Sequence, residues 1–218
     1  MGETSAQRIN LADRVVVERV GLRAGEVWLF RELDMDVPAG RSVALTGPNG
    51  SGKSTLLRCL YGMQPPTEGR ITVFGAEPDE RSAEFRRTVS VLMDDSALFE
   101  EFSPRQHLDL LLRSFPGATP SADPVADWLA PAGLDHRANV PAGSLSAGQR
   151  RRLLLLGCLA RPHRLLLLDE PERALDTAGL DWLAGAVRAR TEAGAAVVLA
   201  SHSDRLIDAC ADDEVNLG

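Results

Sequence analysis

Apolar and polar residues alternate along the first part of the chain with the period of two that is typical of β-strands. The pattern predicts strands over Arg14–Val20 and Val27–Val37, separated by the turn-forming residues Gly21 and Gly25 and closed at Pro38. Two such strands in succession predict an antiparallel β-sheet near the start of the fold.

The middle of the chain changes from strand spacing to helix spacing. Alternating segments over Arg70–Phe74 and Thr88–Met93 predict two more strands, with a short charged helix between them over Asp79–Arg87. From Ser103 to about Ala160 the apolar residues recur with helical spacing, interrupted twice by proline and glycine. We therefore expect a helical insert in this part.

Strands and helices alternate towards the end of the chain. A buried strand is predicted from Leu165, a helix over Asp181–Arg190 and another strand over Ala196–Ser201. This alternation indicates a parallel β-sheet with crossover helices, so the fold class is α/β. An earlier segment of five apolar or small residues, Ser42–Thr46, is also expected to be a buried strand.

Length and charge limit the possible partners. The 218-residue chain can bury one α/β core, and its formal net charge is −7. Because proteins bind phosphate backbones with clustered Lys and Arg, we expect no nucleic-acid partner.

The cysteines indicate a reducing compartment, and the apolar segments are too short to cross a membrane. Cys59, Cys158 and Cys210 are odd in number and lie among apolar or small residues, which favours buried thiols over a disulfide or a metal site. No apolar run approaches the ~20 residues that cross a bilayer, and the N-terminus shows no export signal. Any link to a membrane is therefore expected to come from another chain.

A glycine-rich segment with one lysine follows the strand Ser42–Thr46 and leads into a helical segment. Its glycines allow backbone N–H groups to converge on an anion, and the helix that follows adds about half a positive charge. Lys53 is expected to reach the β- and γ-phosphates of a nucleotide, and the Ser54 hydroxyl to bind Mg²⁺. The segment consists of Gly47, Pro48, Asn49, Gly50, Ser51, Gly52, Lys53, Ser54 and Thr55.

Two carboxylates end the strand that starts at Leu165. Asp169 and Glu170 would lie at the carboxyl edge of a parallel sheet, where ligands bind. Taken alone, Asp-Glu-Pro is more often a strand-ending turn. Beside a phosphate loop, however, Asp169 is expected to hold Mg²⁺ and Glu170 to polarise an attacking water.

The segment Leu145–Arg150 predicts a helix start. Ser146 is a suitable N-cap, and Gln149 completes a capping box. Gly148 weakens the first turn but leaves backbone N–H groups accessible to a phosphate, which explains the glycine better than capping does.

Five segments follow one another along the chain: the phosphate loop, Leu145–Gln149, Asp169-Glu170, Ala174-Leu175-Asp176 and Ser201-His202. Their order resembles the order of the motifs in the ATP-binding-cassette (ABC) ATPases. The resemblance covers nearly the whole chain. Leu145–Gln149 is similar to the signature motif, with Ala147 in place of the commonest Gly. The implied fold is a P-loop NTPase (RecA-like) core with an N-terminal antiparallel β-subdomain and a helical signature subdomain.

By this resemblance the cofactors are ATP and Mg²⁺, and two subunits form a head-to-tail dimer with two nucleotides between them. Ser146, Gly148 and Gln149 would contact the nucleotide of the partner subunit, and Asp176 would communicate across the interface. His202 would contact the γ-phosphate and act with Lys53 and Glu170 in catalysis.

Two positions depart from the family pattern. The Gln that usually follows the strand Thr88–Met93 and touches Mg²⁺ is replaced by Asp94, which either binds the metal more strongly or repels the γ-phosphate. The aromatic residue that usually stacks on adenine would fall near Arg23, where none exists. Trp28 or the Arg23 guanidinium are the alternatives.

The resemblance implies a nucleotide-binding subunit that powers transport, with export as the expected direction, through separate transmembrane subunits. The expected location is cytoplasmic, peripheral at the cytoplasmic face of the membrane. The contact surface would run from Asp94 to His107, where Leu98, Phe99 and Phe102 either receive a helix of the membrane partner or pack within the insert.

Two other functions compete with transport. One is a soluble ABC-type ATPase that acts as a mechanical switch, but the chain has neither sustained heptads nor a basic linker. The other is a small-molecule kinase, which leaves Leu145–Gln149 without a purpose. We expect a single domain over 1–218, with a core at about 8–93 and 161–218 and a helical subdomain at about 94–160.

Overall fold

The fold consists of two β-sheets and the helices packed on them. The structure is a computed structural model that describes residues 11–93, 96–115 and 123–218. The strands, in chain order, are β1 (Arg14–Ala24), β2 (Val27–Pro38), β3 (Ser42–Thr46), β4 (Glu68–Val73), β5 (Val89–Leu92), β6 (Leu165–Asp169), β7 (Ala196–Ala200) and β8 (Asp213–Asn216). The α-helices are α1 (Lys53–Tyr61), α2 (Ala83–Thr88), α3 (Pro104–Ser114), α4 (Pro124–Leu129), α5 (Ala147–Leu159), α6 (Thr177–Glu192) and α7 (Asp204–Cys210). Single 3₁₀ turns occur at Leu11–Asp13, Asp135–Arg137 and Ala142–Ser144.

The smaller sheet is antiparallel, in the order β2-β1-β4, as the alternation near the start of the chain predicts. The prediction that β1 ends at Val20 is wrong, because the strand continues through Gly21 to Ala24. A Cβ atom on Gly21 would lie 2.9 Å from the Trp28 ring, so the glycine makes room for a side chain within the sheet. The turn comes at Gly25, whose φ of +59° favours glycine.

The larger sheet is entirely parallel, in the order β5-β6-β7-β3-β8. All residues of β6 and β7 are buried, which agrees with their continuous apolar sequence. The strand β8 was not predicted, since its residues Asp213–Asn216 are mostly polar and exposed at the sheet edge. The expected α/β architecture is confirmed, and the carboxyl ends of β3, β6 and β7 lie side by side.

The apolar side chains in the described part of the chain form three clusters. One lies between the two sheets and includes α1, a second packs α6 and α7 on the larger sheet, and a third fills the helical insert. The three cysteines are free and buried, as expected. Burial raises the pKa of the Cys59 and Cys158 thiols to about 11 and that of Cys210 to about 12.

Two helix starts differ from the sequence pattern. The helix expected over Asp79–Arg87 begins only at Ala83, where the Ser82 side chain accepts a hydrogen bond from the Phe85 amide. The helix α6 begins before Asp181, because Asp176 caps it.

Within the described ranges, no helix has the length and apolar character that crossing a bilayer requires. The division of the chain into core and helical subdomain stays a prediction.

Candidate nucleotide-binding site

The turn between β3 and α1 has the backbone shape of an anion-binding loop. Gly47, Gly50 and Gly52 adopt φ angles of +123°, +84° and +103°, which L side chains rarely reach. Gly52 is the N-cap of α1 and gives it no side-chain hydrogen bond, so the first amides of the helix face the loop. Glycine is also required by packing, because a Cβ atom at this position would lie 2.9 Å from the Phe30 ring of β2.

Lys53 lies across this loop and is the only lysine in the chain. Lys53 is only 5% exposed. Its Nζ donates hydrogen bonds to the carbonyl oxygens of Gly47 at 2.8 Å and Pro48 at 3.0 Å. An ammonium group has three donors, so one remains for a phosphate oxygen. The buried Ser51 Oγ has no hydrogen-bond partner among the described residues, which fits a loop shaped to hold an anion.

Ser54 and Asp169 bring the phosphate loop and the end of β6 together. The Ser54 Oγ donates a hydrogen bond of 2.9 Å to Asp169 Oδ1, and Asp169 is 2% exposed. No group of three or more His, Cys, Asp or Glu side chains that could hold a metal occurs in the described part of the chain. A hydroxyl beside one carboxylate fits Mg²⁺, which takes most of its ligands from water and substrate phosphates.

Glu170 begins a strained turn directly after β6. Its φ of +43° is unusual for a residue with a side chain, and its amide donates to the Ala200 carbonyl at 2.9 Å. The carboxylate is 27% exposed and contacts two side chains: Oε2 lies 2.8 Å from Arg173 Nε, and Oε1 lies 3.9 Å from His202 Nε2. The ends of the neighbouring strands β6 and β7 therefore bring Glu170 and His202 together.

Arg151 holds this turn from the side of α5. Its buried guanidinium donates to the carbonyl oxygens of Asp169 at 2.8 Å and Pro171 at 3.2 Å, and also to that of Glu170. The His202 amide donates to Glu172 Oε1 at 2.7 Å, which joins the ends of β6 and β7. The sequence analysis missed Arg151, Glu172 and Arg173. Arg151 is the middle one of three consecutive arginines in α5, so the sequence did not distinguish it from its exposed neighbour Arg150.

The capping box at the start of α5 is confirmed. The Gln149 amide donates to Ser146 Oγ at 3.2 Å, and the Ser146 amide donates to Gln149 Oε1 at 3.0 Å. Gly148 has a packing role as well, because a Cβ atom there would lie 2.8 Å from the Ala174 carbonyl oxygen. Phosphate access alone therefore does not explain this glycine.

A groove of about 350 Å³ opens beside this helix start, and no phosphate-loop residue lines it. Asp176 lies on its rim, accepts a hydrogen bond of 2.8 Å from the Gly179 amide and pairs with Arg152. These contacts, the Gly179 amide first, lower the pKa of the Asp176 carboxyl. The groove is lined by Gly133, His136, Ser146, Gly148, Gln149, Arg152, Ala174 and Asp176.

The two alternatives for stacking on a base contact each other on the hairpin of β1 and β2. The Arg23 guanidinium lies 5.2 Å from the centre of the Trp28 ring, and that of Arg31 lies 4.4 Å from it. Arginine side chains thus already pack on the indole. Asp94, the third expected metal ligand, lies outside the described residues.

The family model described as "ABC transporter" matches residues 30–173. The chain therefore belongs to the ABC transporter family. It is 35% identical over 194 residues to the cytochrome c biogenesis ATP-binding export protein CcmA of Dechloromonas aromatica, covering 89% of this chain and 95% of that one. It is 31% identical over 181 residues to the SkfA peptide export ATP-binding protein SkfE of Bacillus subtilis, covering 83% and 75% of the two chains.

Solved structures share the fold. The structure of an ATP-binding subunit of an ABC transporter has a TM-score of 0.80 at 22% identity and covers 93% of this chain and 85% of its own. The dimeric structure of MJ0796, a bacterial ABC transporter cassette, has a TM-score of 0.77 at 22% identity and covers 94% and 95%.

Proposed function

We propose that this chain is the ATP-binding and hydrolysing subunit of an export transporter, driving separate transmembrane subunits by ATP-dependent dimer closure. The observation that carries the proposal is the 2.9 Å contact between Ser54 and Asp169, with Glu170 next along the chain and Lys53 across the loop. Family membership and the export proteins among the relatives support it. The transported compound is left open.

The phosphate loop binds the triphosphate of ATP in this proposal. Backbone amides of the loop and of the first turn of α1 face the anion, and Lys53 adds a positive charge without leaving its carbonyl partners. Ser54 and Asp169 would hold Mg²⁺, which would neutralise charge on the phosphates. Pro48, Asn49, Gly50 and Thr55 complete the loop.

Glu170 accepts a proton from the attacking water. The water oxygen forms a bond to the γ-phosphorus, the bond from that phosphorus to the bridging oxygen breaks, and the electron pair leaves with ADP. His202, at the end of the adjacent strand β7, donates a hydrogen bond to the γ-phosphate. Lys53 balances charge in the same step.

A second copy of the chain completes each site. Ser146 and Gly148 lie on a surface groove with Asp176, away from the phosphate loop of their own chain, which supports contact with the nucleotide of a partner subunit. The α5 N-terminus supplies amides for the γ-phosphate, and Gln149 fixes their direction through the capping box. We expect the second copy to be identical, so that the assembly is a homodimer.

The transmembrane partner docks on the helical insert. Phe99 is 62% exposed and Phe102 38%, and together with His107 they form an aromatic cluster beside α3. Leu98 instead packs on the core of the insert. A groove of about 330 Å³ between α3 and α5 continues this apolar surface. Docking here would hold the chain at the cytoplasmic face of the membrane through its partner. The net charge of −7 supports the proposal that the chain has no nucleic-acid partner.

Replacement of Glu170 by Gln tests the catalytic part. We expect steady-state hydrolysis to fall on the order of 100-fold or more while ATP binding persists and an ATP-bound dimer accumulates in size-exclusion chromatography. Hydrolysis at the wild-type rate would contradict the assignment. The control is Asp181→Asn, since Asp181 is exposed and paired with Arg205.

Recovery of the complex from membranes tests transport against the alternative of a soluble ABC-type switch. We expect a multispanning protein to copurify with the wild-type chain and to be lost on Phe99→Asp, which places a charge on the exposed aromatic cluster. Isolation of the chain with soluble partners alone would favour the switch.

A further inference from the structure

The carboxylate of Glu170 is engaged by its own turn in this structure. Arg173, three residues further on, places Nε 2.8 Å from Glu170 Oε2, and the Arg173 amide donates to the Glu170 carbonyl at 3.2 Å. The other carboxylate oxygen lies 3.9 Å from His202 Nε2. Both oxygens therefore face cationic or hydrogen-bonding side chains of this subunit.

The backbone at this turn leaves Glu170 little freedom except in its side chain. Its amide is bonded to the Ala200 carbonyl, and its carbonyl is held by the Arg151 guanidinium. Since the main chain is fixed on both sides, the direction of the carboxylate depends on which side chains hold it. Arg173 makes the shorter of the two contacts.

The ion pair, with Arg173 Nε 2.8 Å from Glu170 Oε2, competes with a water for the same carboxylate oxygen. A water that transfers its proton to Glu170 must first find a free lone pair directed towards it. The guanidinium of Arg173 thus acts against the role that the proposed function gives to Glu170.

Arg173 also lies where the helical insert meets the phosphate-binding core. It lines a groove with Ser96 and Leu98, next to the proposed docking surface, and with Ala147 and Arg150 at the start of α5. Its side chain is 55% exposed, so its position can change without breaking the core. Movement of the insert on dimer closure would change the surroundings of Arg173 directly.

We propose that Arg173 is a positioning residue that restrains Glu170 in the resting subunit, and that the ion pair opens before each hydrolysis event. The inference rests on the proposed role of Glu170. Such a restraint would keep hydrolysis slow in a subunit without its partners even with nucleotide bound, because the carboxylate is retained by its own turn.

Steady-state kinetics of Arg173→Gln and Arg173→Lys in the full chain test this restraint. For Arg173→Gln we expect kcat to rise about two- to five-fold, the range given by opening one partly exposed ion pair. KM for ATP is expected to stay within about two-fold, because the restraint acts on the carboxylate that accepts the proton of the attacking water and not on nucleotide binding. Arg173→Lys keeps the charge and is expected to restore the wild-type kcat.

The matched control is Arg205→Gln, which breaks a similarly exposed pair with Asp181 far from the phosphate loop and is expected to leave kcat unchanged. An unchanged or lower kcat in a folded Arg173→Gln protein would overturn the restraint, with folding checked by thermal unfolding. If Glu170→Gln hydrolyses ATP at the wild-type rate, the proposed function fails instead. If Glu170→Gln is inactive and Arg173→Gln is not faster, only this inference fails.

Discussion

Ser54 and Asp169 are 115 residues apart in the chain, and their side chains meet at 2.9 Å. The contact joins the first turn of α1 to the end of β6. It places a hydroxyl and a carboxylate together at the one point of the sheet edge where the phosphate loop arrives. Under the proposed function, a change at either residue should therefore alter Mg²⁺ binding more than it alters the stability of the fold.

Asp169→Asn tests that expectation. Asparagine keeps an oxygen that accepts the Ser54 hydrogen bond but removes the negative charge, so we expect hydrolysis to fall on the order of 100-fold and the Mg²⁺ dependence to shift to higher concentration. The measurement is ATPase rate against Mg²⁺ concentration. Ser54→Ala should show the same shift with a smaller loss, and an unaltered Mg²⁺ curve in both variants would remove these residues from the metal site.

Arg151→Ala should destabilise the subunit. The buried guanidinium serves three backbone carbonyl oxygens around Glu170, and its loss leaves them unsatisfied. We expect the free energy of unfolding to fall by about 2 to 4 kcal/mol, measured by urea denaturation. The neighbouring Arg150 is exposed and makes one long hydrogen bond to Gly143, so Arg150→Ala should cost less than about 1 kcal/mol. Equal losses would contradict the role given to Arg151.

Gly148→Ala should strain the start of α5. The added methyl would lie 2.8 Å from the Ala174 carbonyl, a backbone atom that cannot move aside cheaply. A loss of about 1 to 3 kcal/mol in the free energy of unfolding is expected, together with weaker ATP-dependent dimerisation. On the same helix, Gly157→Ala meets nothing within 4 Å and should gain about 0.5 to 1 kcal/mol. The prediction is wrong if both variants gain stability.

His163 should make stability depend on pH. Burial lowers its pKa from 6.5 to about 4, so the unfolded chain binds a proton at a higher pH than the folded chain does. Stability is therefore complete above about pH 6.5 and decreases by up to roughly 3 kcal/mol as the pH falls towards 4. The free energies of unfolding of wild type and His163→Gln, compared between pH 7 and pH 5, should converge on acidification. The same pH dependence in wild type and His163→Gln would contradict this prediction.

The phosphate loop and the carboxylates after β6 could be predicted from sequence because each lies within one short segment next to a strand. The packing roles of Gly148 and Arg151 could not be predicted from sequence. Their partners, Ala174 and the carbonyls of Asp169 to Pro171, lie about twenty residues away, and only the packing of α5 against the turn brings them together. The extension of β1 past Gly21 was missed for a similar reason, since a large side chain from the neighbouring strand fills the space that glycine leaves.

The single lysine of the chain has a chemical consequence. Acylating reagents that attack neutral amines have one side-chain target here, and it lies in the phosphate loop with 5% of its surface exposed. Apart from the terminal amine, the extent of modification therefore measures access to Lys53 alone. The basic residues elsewhere are arginines, which such reagents spare, so the protein already carries a site-specific reporter of whether that loop is filled or open.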